Sequence, residues 1–526
     1  MTTVTLNAGM TLTVTADAFA SGRVYRLGEP GESVAPESYE VTSGRSIDIG
    51  PFTTNRIYDV ASERGSLSYV SAVKDRQVLP ISVQGNRLGV IGTSLVQQNE
   101  IGLSTKISHW GRGWLSWARF FAKGRFECPI WQDMTFTAGW EPSGVANAVR
   151  GFSGLNAGVS GQTAAQILAR KEYLANNVSC DIVVIDAGTN DMGSLSKEAI
   201  HDARVSLANY YVENGLRVVM LPILSRGVSS WSASGAERKK AAWINQRTRE
   251  FCASTPNCSM FDWNGSWVDS ANANGEPISG YSSDDIHFSV PGGVAVGEAF
   301  ATFLTRLLPD PAPRVWSQDD KYDATDNPLG NMLANPFCTG TSGANGTGSS
   351  GSVATGMRVE RSTGDATVVC SKETRADNRG DWQVMTFTPG ASDSLLYFRT
   401  NSADTNHSLA AGSWVQASIE VDIGSFNGWQ GVSLYLKDNG TNGLIAYGME
   451  AYDGGSGYIK LPTRVMNGQI VTPPLMLVNG SASVRWRLEV RVGSTGGGAS
   501  GTGVLKAGAV ELRPVSDPRK VVNFRG

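Results

Sequence analysis

Between Leu88 and about Leu308 short apolar runs alternate with stretches in which apolar residues recur every three or four positions. Such alternation predicts a parallel sheet with helices on both faces. Strands are expected at Leu88–Ile91, Ile182–Ala187 and Arg217–Leu221, and helices near Gln162–Tyr173, Lys197–Asn214, Glu237–Phe251 and Pro291–Leu307. Pro291 suits a first helical turn, where its missing N–H costs nothing. Upstream, Thr11–Thr15, Arg23–Leu27, Tyr39–Thr42, Ser46–Ile49 and Arg56–Val60 read as short strands separated by Gly, Pro and Ser, hence a small antiparallel β domain. Downstream, β-like runs at Trp382–Phe387, Leu395–Thr400, Trp414–Asp422, Gly431–Leu436 and Val484–Val492 predict a β-sandwich of jelly-roll type. The Gly/Ser/Thr tracts Thr339–Gly351 and Gly493–Gly503 are expected to be mobile loops, and Pro309-Asp-Pro-Ala-Pro313 reads as a stiff linker. The expected division is therefore 1–80, a β attachment or spacer domain; 81–308, an α/β domain; 309–330, a linker; and 331–526, the β-sandwich, a candidate carbohydrate-binding domain.

Composition narrows the class. A chain of 526 residues exceeds one ordinary domain, and 41% hydrophobic with 18% charged residues is usual for a soluble protein. A net charge of -3, with no basic block, argues against a nucleic-acid partner. No apolar run is long enough to insert in a membrane, and the N-terminus shows neither the basic region nor the apolar core of a signal peptide. The six cysteines form no Cys-x-x-Cys pair and read as thiols, although Cys252 and Cys258 are close enough in sequence to bridge. Four histidines without a His-x-x-x-His pair argue against a histidine-built zinc site, so neither metal nor cofactor is expected. Trp110, Trp114, Trp117, Trp131 and Trp140 are read as core rather than as a sugar-stacking wall. Most of Trp382, Trp414, Trp429 and Trp486 are likewise expected in the core, with room for one glycan-stacking residue among them.

The candidate chemistry starts where the Leu88–Ile91 run breaks at Gly92 and delivers Ser94 one step beyond Thr93. Ligands of open α/β sheets bind at the carboxyl ends of the strands, so this serine stands where a nucleophile would; on its own a serine after a strand is more often a helix cap. Three later stretches change the weighting: Asn156-Ala-Gly158-Val-Ser160-Gly161, Gly188-Thr-Asn190-Asp191 at the end of the Asp181–Ala187 run, and Asp284-Asp285-Ile286-His287. In this order the four stretches resemble the sequence blocks of the SGNH (GDSL-type) hydrolase family, over Leu88 to Leu308. The first block departs from the family pattern, with Thr93 where the family usually has aspartate.

The resemblance implies a flavodoxin-like three-layer α/β/α hydrolase domain with Ser94 as nucleophile, His287 as general base and Asp284 as the carboxylate that orients it. It also implies an oxyanion hole built from the Ser94 and Gly158 amides and the Asn190 side chain. That division of labour is chemically coherent. A serine hydroxyl needs a base, an imidazole needs orienting, and the oxyanion formed at an ester carbonyl needs preplaced donors. Asp191 and Asp285 read as structural neighbours. The α/β-hydrolase pentapeptide Gly-x-Ser-x-Gly is absent from the chain.

The N-terminal β region resembles the small attachment or spacer modules of bacteriophage tail proteins, and the Asn331-Met-Leu-Ala-Asn-Pro-Phe opening and the Ala509-Val-Glu-Leu-Arg-Pro514 close resemble those of jelly-roll modules on viral and secreted carbohydrate-active proteins. The expected function is thus a serine esterase removing O-acetyl groups from a host capsule or O-antigen polysaccharide, made in the host cytoplasm and carried in the virion. Its expected partners are the surface glycan and other tail proteins, the latter through the N-terminal domain, and the tail analogy favours a homotrimer. The alternatives are a bacterial carbohydrate esterase with a binding module, and an inactive receptor-binding tail protein on the same fold.

Overall fold

The computed structural model describes the backbone of seven strands between Thr2 and Val73. It further describes residues 85–519 except 104, 132–152, 178–179, 234 and 452–457. Two compact units result, one holding residues 1–84 and the other most of residues 85–522.

In the first unit every paired strand is antiparallel. Thr2–Leu6, Arg56–Arg64, Ser21–Leu27 and Ser38–Val41 make one sheet in that order, and Ser46–Ile49, Met10–Ala16 and Leu67–Val73 another. Leu12 and Val14, two apart on one strand, are fully buried, as a period of two requires.

The second unit contains a five-stranded parallel sheet whose order, in chain sequence, is 2-1-3-4-5: Asn156–Gly158, Leu88–Gly92, Ile182–Ile185, Arg217–Met220 and Cys258–Met260. This is the flavodoxin-like order, and its switch point lies between Leu88–Gly92 and Ile182–Ile185. The inner strands are buried throughout and carry no polar side chain except Arg217, because both faces are covered. Among the described residues six α-helices accompany them: α1 (Ser94–Gln97), α2 (Trp114–Ala122), α3 (Ala164–Ala169), α4 (Lys197–Glu213), α5 (Ala236–Ser254) and α6 (Val290–Leu304). Thr163 and Gln166 form a reciprocal capping box at α3, and the Ser289 hydroxyl caps α6.

The C-terminal region supplies two further sheets whose inner side chains merge into one core. Along Ser483–Val492, for example, Val484, Trp486, Leu488, Val490 and Val492 point inward. Opposite them stand Ile419, Val421, Phe387 and Leu505 from the second sheet. Trp414, Trp429 and Trp486 are buried, and Trp382 lies under the Arg375 guanidinium at 4.2 Å. The tract expected as the first mobile loop carries two short strands instead, Ser342–Asn345 and Ser349–Gly351, each paired in parallel. In the second tract Thr495–Gly497 forms a 3-10 turn.

The Pro309–Pro313 segment does not keep the α/β and β-sandwich regions apart. Glu100–Leu103 and Lys106–Trp110, from inside the α/β region, extend the edge of a C-terminal sheet, the second pairing in parallel with Ile445–Glu450. Trp117 and Phe120 of α2 belong to the sandwich core, while Trp114, Leu115 and Ala118 belong to the α/β core. Helix α2 is buried on both sides, so one continuous fold spans the expected boundary.

Candidate functional site

Ser94 is the first residue of α1, directly beyond the strand Leu88–Gly92. Thr93 caps that helix, and its hydroxyl and amide both donate to the buried Asp186 carboxylate, at 2.6 and 3.2 Å. Burial raises the pKa of Asp186, and the two Thr93 bonds lower it in part. Where the family pattern has an aspartate at position 93, this chain has a threonine satisfied by a carboxylate from the neighbouring strand's end.

His287 lies on the turn that leads into α6. Its Nδ1 is 2.7 Å from Asp284 Oδ2 and its Nε2 is 2.9 Å from Ser94 Oγ. A carboxylate only accepts, so Nδ1 carries the proton and Nε2 is left to accept from the serine hydroxyl. Asp284 also accepts the amides of Ile286 and His287, at 3.1 and 2.7 Å, which folds the carboxylate back under the ring. Burial opposes its charge, but the bonds from the His287 ring and amide outweigh that and keep its pKa below the ordinary carboxylate value. Ser94 is 7% exposed, whereas the Asp284 side chain is half exposed.

The neighbouring Asp285 faces elsewhere. Its backbone is left-handed, at φ 67°, its carbonyl accepts the Gly227 amide, and its carboxylate accepts the amide and hydroxyl of Ser229. Phe288, on the other side of His287, packs edge-on against Trp267 at 4.8 Å. Arg112 bridges the turn, donating from Nε to the Phe288 carbonyl at 2.6 Å and from Nη2 to Ser283 Oγ. The segment bearing Asp284 and His287 is thereby held at both ends.

For the oxyanion site the expectation at Gly158 is corrected. Gly158 sits in the parallel ladder opposite Gly92, its amide donates to Asn156 Oδ1 at 3.1 Å, and a side chain there would meet the Gln97 amide at 2.2 Å. Its glycine serves close packing under α1, not ligand binding. Gly161 is better placed to present an amide to a ligand. It is exposed, at φ 78°, with open space around its Cβ position, on the loop past the strand's carboxyl end. The Ser94 amide heads α1, where a helix leaves its first N–H groups unpaired.

Asn190 is exposed and spends one Nδ2 hydrogen on the Gln162 carbonyl at 3.0 Å, joining its loop to that of Gly161. Asp191 accepts the Ala164 amide at 2.9 Å and so ties the same two loops. The donor set the geometry offers is therefore Ser94, Gly161 and Asn190.

Two more arginines brace the site without a local sequence signal. Buried Arg170 donates to the Gly92 and Ala157 carbonyls and to Gln162 Oε1, at 3.1, 2.6 and 2.7 Å, tying together the carboxyl ends of two neighbouring strands. Arg226 donates to the carbonyl and hydroxyl of Thr189 at 3.0 and 2.9 Å. Of the aromatic cluster, Trp114, Trp117 and Trp131 are buried, Trp110 is partly exposed beneath Arg112, and Trp140 lies outside the described residues. Among the described residues no group of three His, Cys, Asp or Glu side chains converges on a metal position, and no helix is long and apolar enough to cross a membrane.

Residues 131–293 match the GDSL-like Lipase/Acylhydrolase family, which places a domain of that kind in the middle of the chain. No curated protein matches the chain in sequence. Solved structures similar to part of it include a GDSL-like lipase from Bacteroides thetaiotaomicron, at 16% identity and a TM-score of 0.29, the match covering 42% of this chain and 88% of that one. A carbohydrate esterase of family 3 from Talaromyces cellulolyticus is similar at 18% identity and a TM-score of 0.29, covering 43% of this chain and 100% of that one. At these scores the likenesses add nothing about function.

Proposed function

We propose that this chain is a serine esterase that removes O-acetyl groups from a polysaccharide on a host cell surface, as part of a bacteriophage tail. The observation that carries the esterase reading is the placement of one imidazole between Asp284 Oδ2 at 2.7 Å and Ser94 Oγ at 2.9 Å. In this reading Ser94 Oγ attacks the acetyl carbonyl as its proton passes to His287 Nε2. The Ser94 and Gly161 amides and Asn190 Nδ2 receive the negative oxygen. The tetrahedral species collapses, His287 returns the proton to the departing sugar oxygen, and an acetyl group remains on Ser94. Water, deprotonated by the same imidazole, then releases acetate. Asp284 holds the ring in the tautomer that both half-reactions need.

The substrate class rests on two supports. Gly161 and Asn190 are exposed, which suits an ester carried on a bulky polymer. The β-rich C-terminal region is built into the same fold as the site and resembles jelly-roll modules of viral and secreted carbohydrate-active proteins, and the N-terminal region resembles those of tail proteins. In this setting the N-terminal strands join the chain to other virion proteins, and the assembly is a homotrimer. Acetate release from a panel of purified capsular and O-antigen polysaccharides, beside a small aryl acetate, tests the reading. Deacetylation of at least one polymer is expected; turnover of the aryl acetate alone would contradict the assigned substrate.

A further inference from the structure

The Cys252 and Cys258 sulfurs are 3.3 Å apart, both buried, at the two ends of a five-residue connection. Cys252 lies in the last turn of α5 and Cys258 opens the edge strand of the parallel sheet. The turn between them is closed without their help. Cys258 N–H donates to the Thr255 carbonyl at 3.2 Å, and Asn257 takes the left-handed conformation, at φ 59°, that asparagine tolerates. The Asn257 carbonyl accepts the Val218 amide at 2.8 Å, so the turn is anchored to the sheet. The backbone therefore holds the two side chains facing one another. A disulfide needs the sulfurs to close to about 2.05 Å, a movement that side-chain rotation can supply. The other four cysteines are also buried.

We propose that Cys252 and Cys258 are a redox site, converted by hydrogen peroxide into a disulfide that staples the end of α5 to the edge of the parallel sheet. Peroxide is small enough for a buried thiol. Cys252 is the attacking sulfur: the hydrogen bond from the Cys258 thiol, and secondarily the Arg204 guanidinium, outweigh burial and favour its thiolate. The thiolate attacks one peroxide oxygen, the O–O bond breaks, and the departing hydroxide takes up the thiol's proton as water. Cys252 is now a sulfenic acid. Cys258 sulfur attacks it, the S–S bond forms, the S–O bond breaks, and a second water carries away the Cys258 proton. The two sulfurs together lose two electrons and the peroxide gains them.

The staple's position separates it from the esterase chemistry. Cys258 opens its strand and so lies at the amino end of the parallel sheet, while Ser94 follows a carboxyl end. Oxidation should strengthen the fold and leave ester turnover unchanged.

The test treats the full chain with dilute hydrogen peroxide, blocks free thiols with N-ethylmaleimide after denaturation, and maps the proteolytic peptides by mass. The expected result is a peptide with Cys252 and Cys258 joined and unblocked. With it should come a melting temperature raised by about 2–4 °C, as a short closed loop gives, and reversed by dithiothreitol. Cys252→Ser and Cys258→Ala should each remove the peroxide-dependent rise. Recovery of both thiols fully blocked, or oxidation to sulfinic acid without a link, would overturn the proposal. So would an equal rise in either variant.

Discussion

Arg112 Nε donates to the carbonyl oxygen of Phe288 at 2.6 Å, across 176 residues of sequence. The next residue back, Gly111, donates its amide to the Glu450 carbonyl at 3.0 Å, on a strand of the C-terminal sheet. One short loop thus connects the β-sandwich to the turn that carries Asp284 and His287. Arg112→Ala should remove the two bonds that brace the ends of that turn and loosen it. We expect kcat on an aryl acetate to fall about a hundredfold, since displacing a reacting group by an ångström costs that much, with KM little changed. Arg112→Lys should recover part of the loss. Steady-state kinetics on both variants decides it; unchanged kcat in Arg112→Ala would remove the loop from the account.

The same connection predicts what truncation does. A chain ending near Asp310 would expose Trp117 and Phe120, strip the partner strand from Lys106–Trp110 and remove the Val471 carbonyl that lies 3.0 Å from His109 Nδ1. It should be insoluble or melt without cooperativity, and should fail even on an aryl acetate. A folded, active truncated chain, by melting curve and ester assay, would show that the shared sheet edge is dispensable.

Asp284 and Asp285 are adjacent but should behave differently. Asp284→Asn removes the acceptor that fixes the His287 tautomer, and kcat should drop by roughly three to four orders of magnitude. Asp285→Asn keeps a residue tolerant of the left-handed backbone and should cost less than about tenfold. A pH signature follows with a definite sign. The folded-state pKa of Asp284 is depressed, so its stabilising bonds are present above the ordinary aspartate value and are lost as pH falls through the folded value. The melting-temperature gap between wild type and Asp284→Asn should therefore persist at neutral pH and close below about pH 4.

The oxyanion loop offers a contrast between two glycines. Gly158→Ala drives a methyl into the Gln97 amide and should destabilise the fold strongly, whereas Gly161→Ala meets open space, should cost only the strain of its left-handed backbone, about 1–2 kcal/mol, and should stay folded. Asn190→Ala should lower kcat by about two to three orders of magnitude with little change in KM, because its donor matters most in the transition state. Melting curves separate the glycines and kinetics reads the asparagine; a KM effect alone at Asn190 would assign it to substrate binding.

What could be read in the sequence was what is local. Asp284 and His287 are three residues apart and Ser94 closes an apolar run, so all three can be picked out locally, and it is the resemblance of the four ordered stretches that proposes their roles. Asn156–Gly161 holds two glycines, and only the strand register tells which one is locked in the ladder. Helix α2 is not marked in the sequence because it spans only nine residues, too few for periodicity to tell a helix from a buried strand. Arg112, Arg170 and Arg226 act through backbone carbonyls, which no residue pattern marks, and their partners lie up to 176 residues away. The strand Lys106–Trp110 was hidden for a related reason. Its partner at Ile445–Glu450 belongs to what the proline-rich segment made look like a separate domain.

The central claim is that Ser94 is the nucleophile, and covalent labelling tests it most directly. The full chain is incubated with an alkyl phosphonate ester that reacts with activated serines, then mapped by peptide mass beside Ser94→Ala. The account predicts one phosphonylated residue, Ser94, labelled in step with loss of aryl-acetate hydrolysis, and an alanine variant that is folded, unlabelled and inactive. Modification of a different residue, or substantial turnover by folded Ser94→Ala, would contradict it.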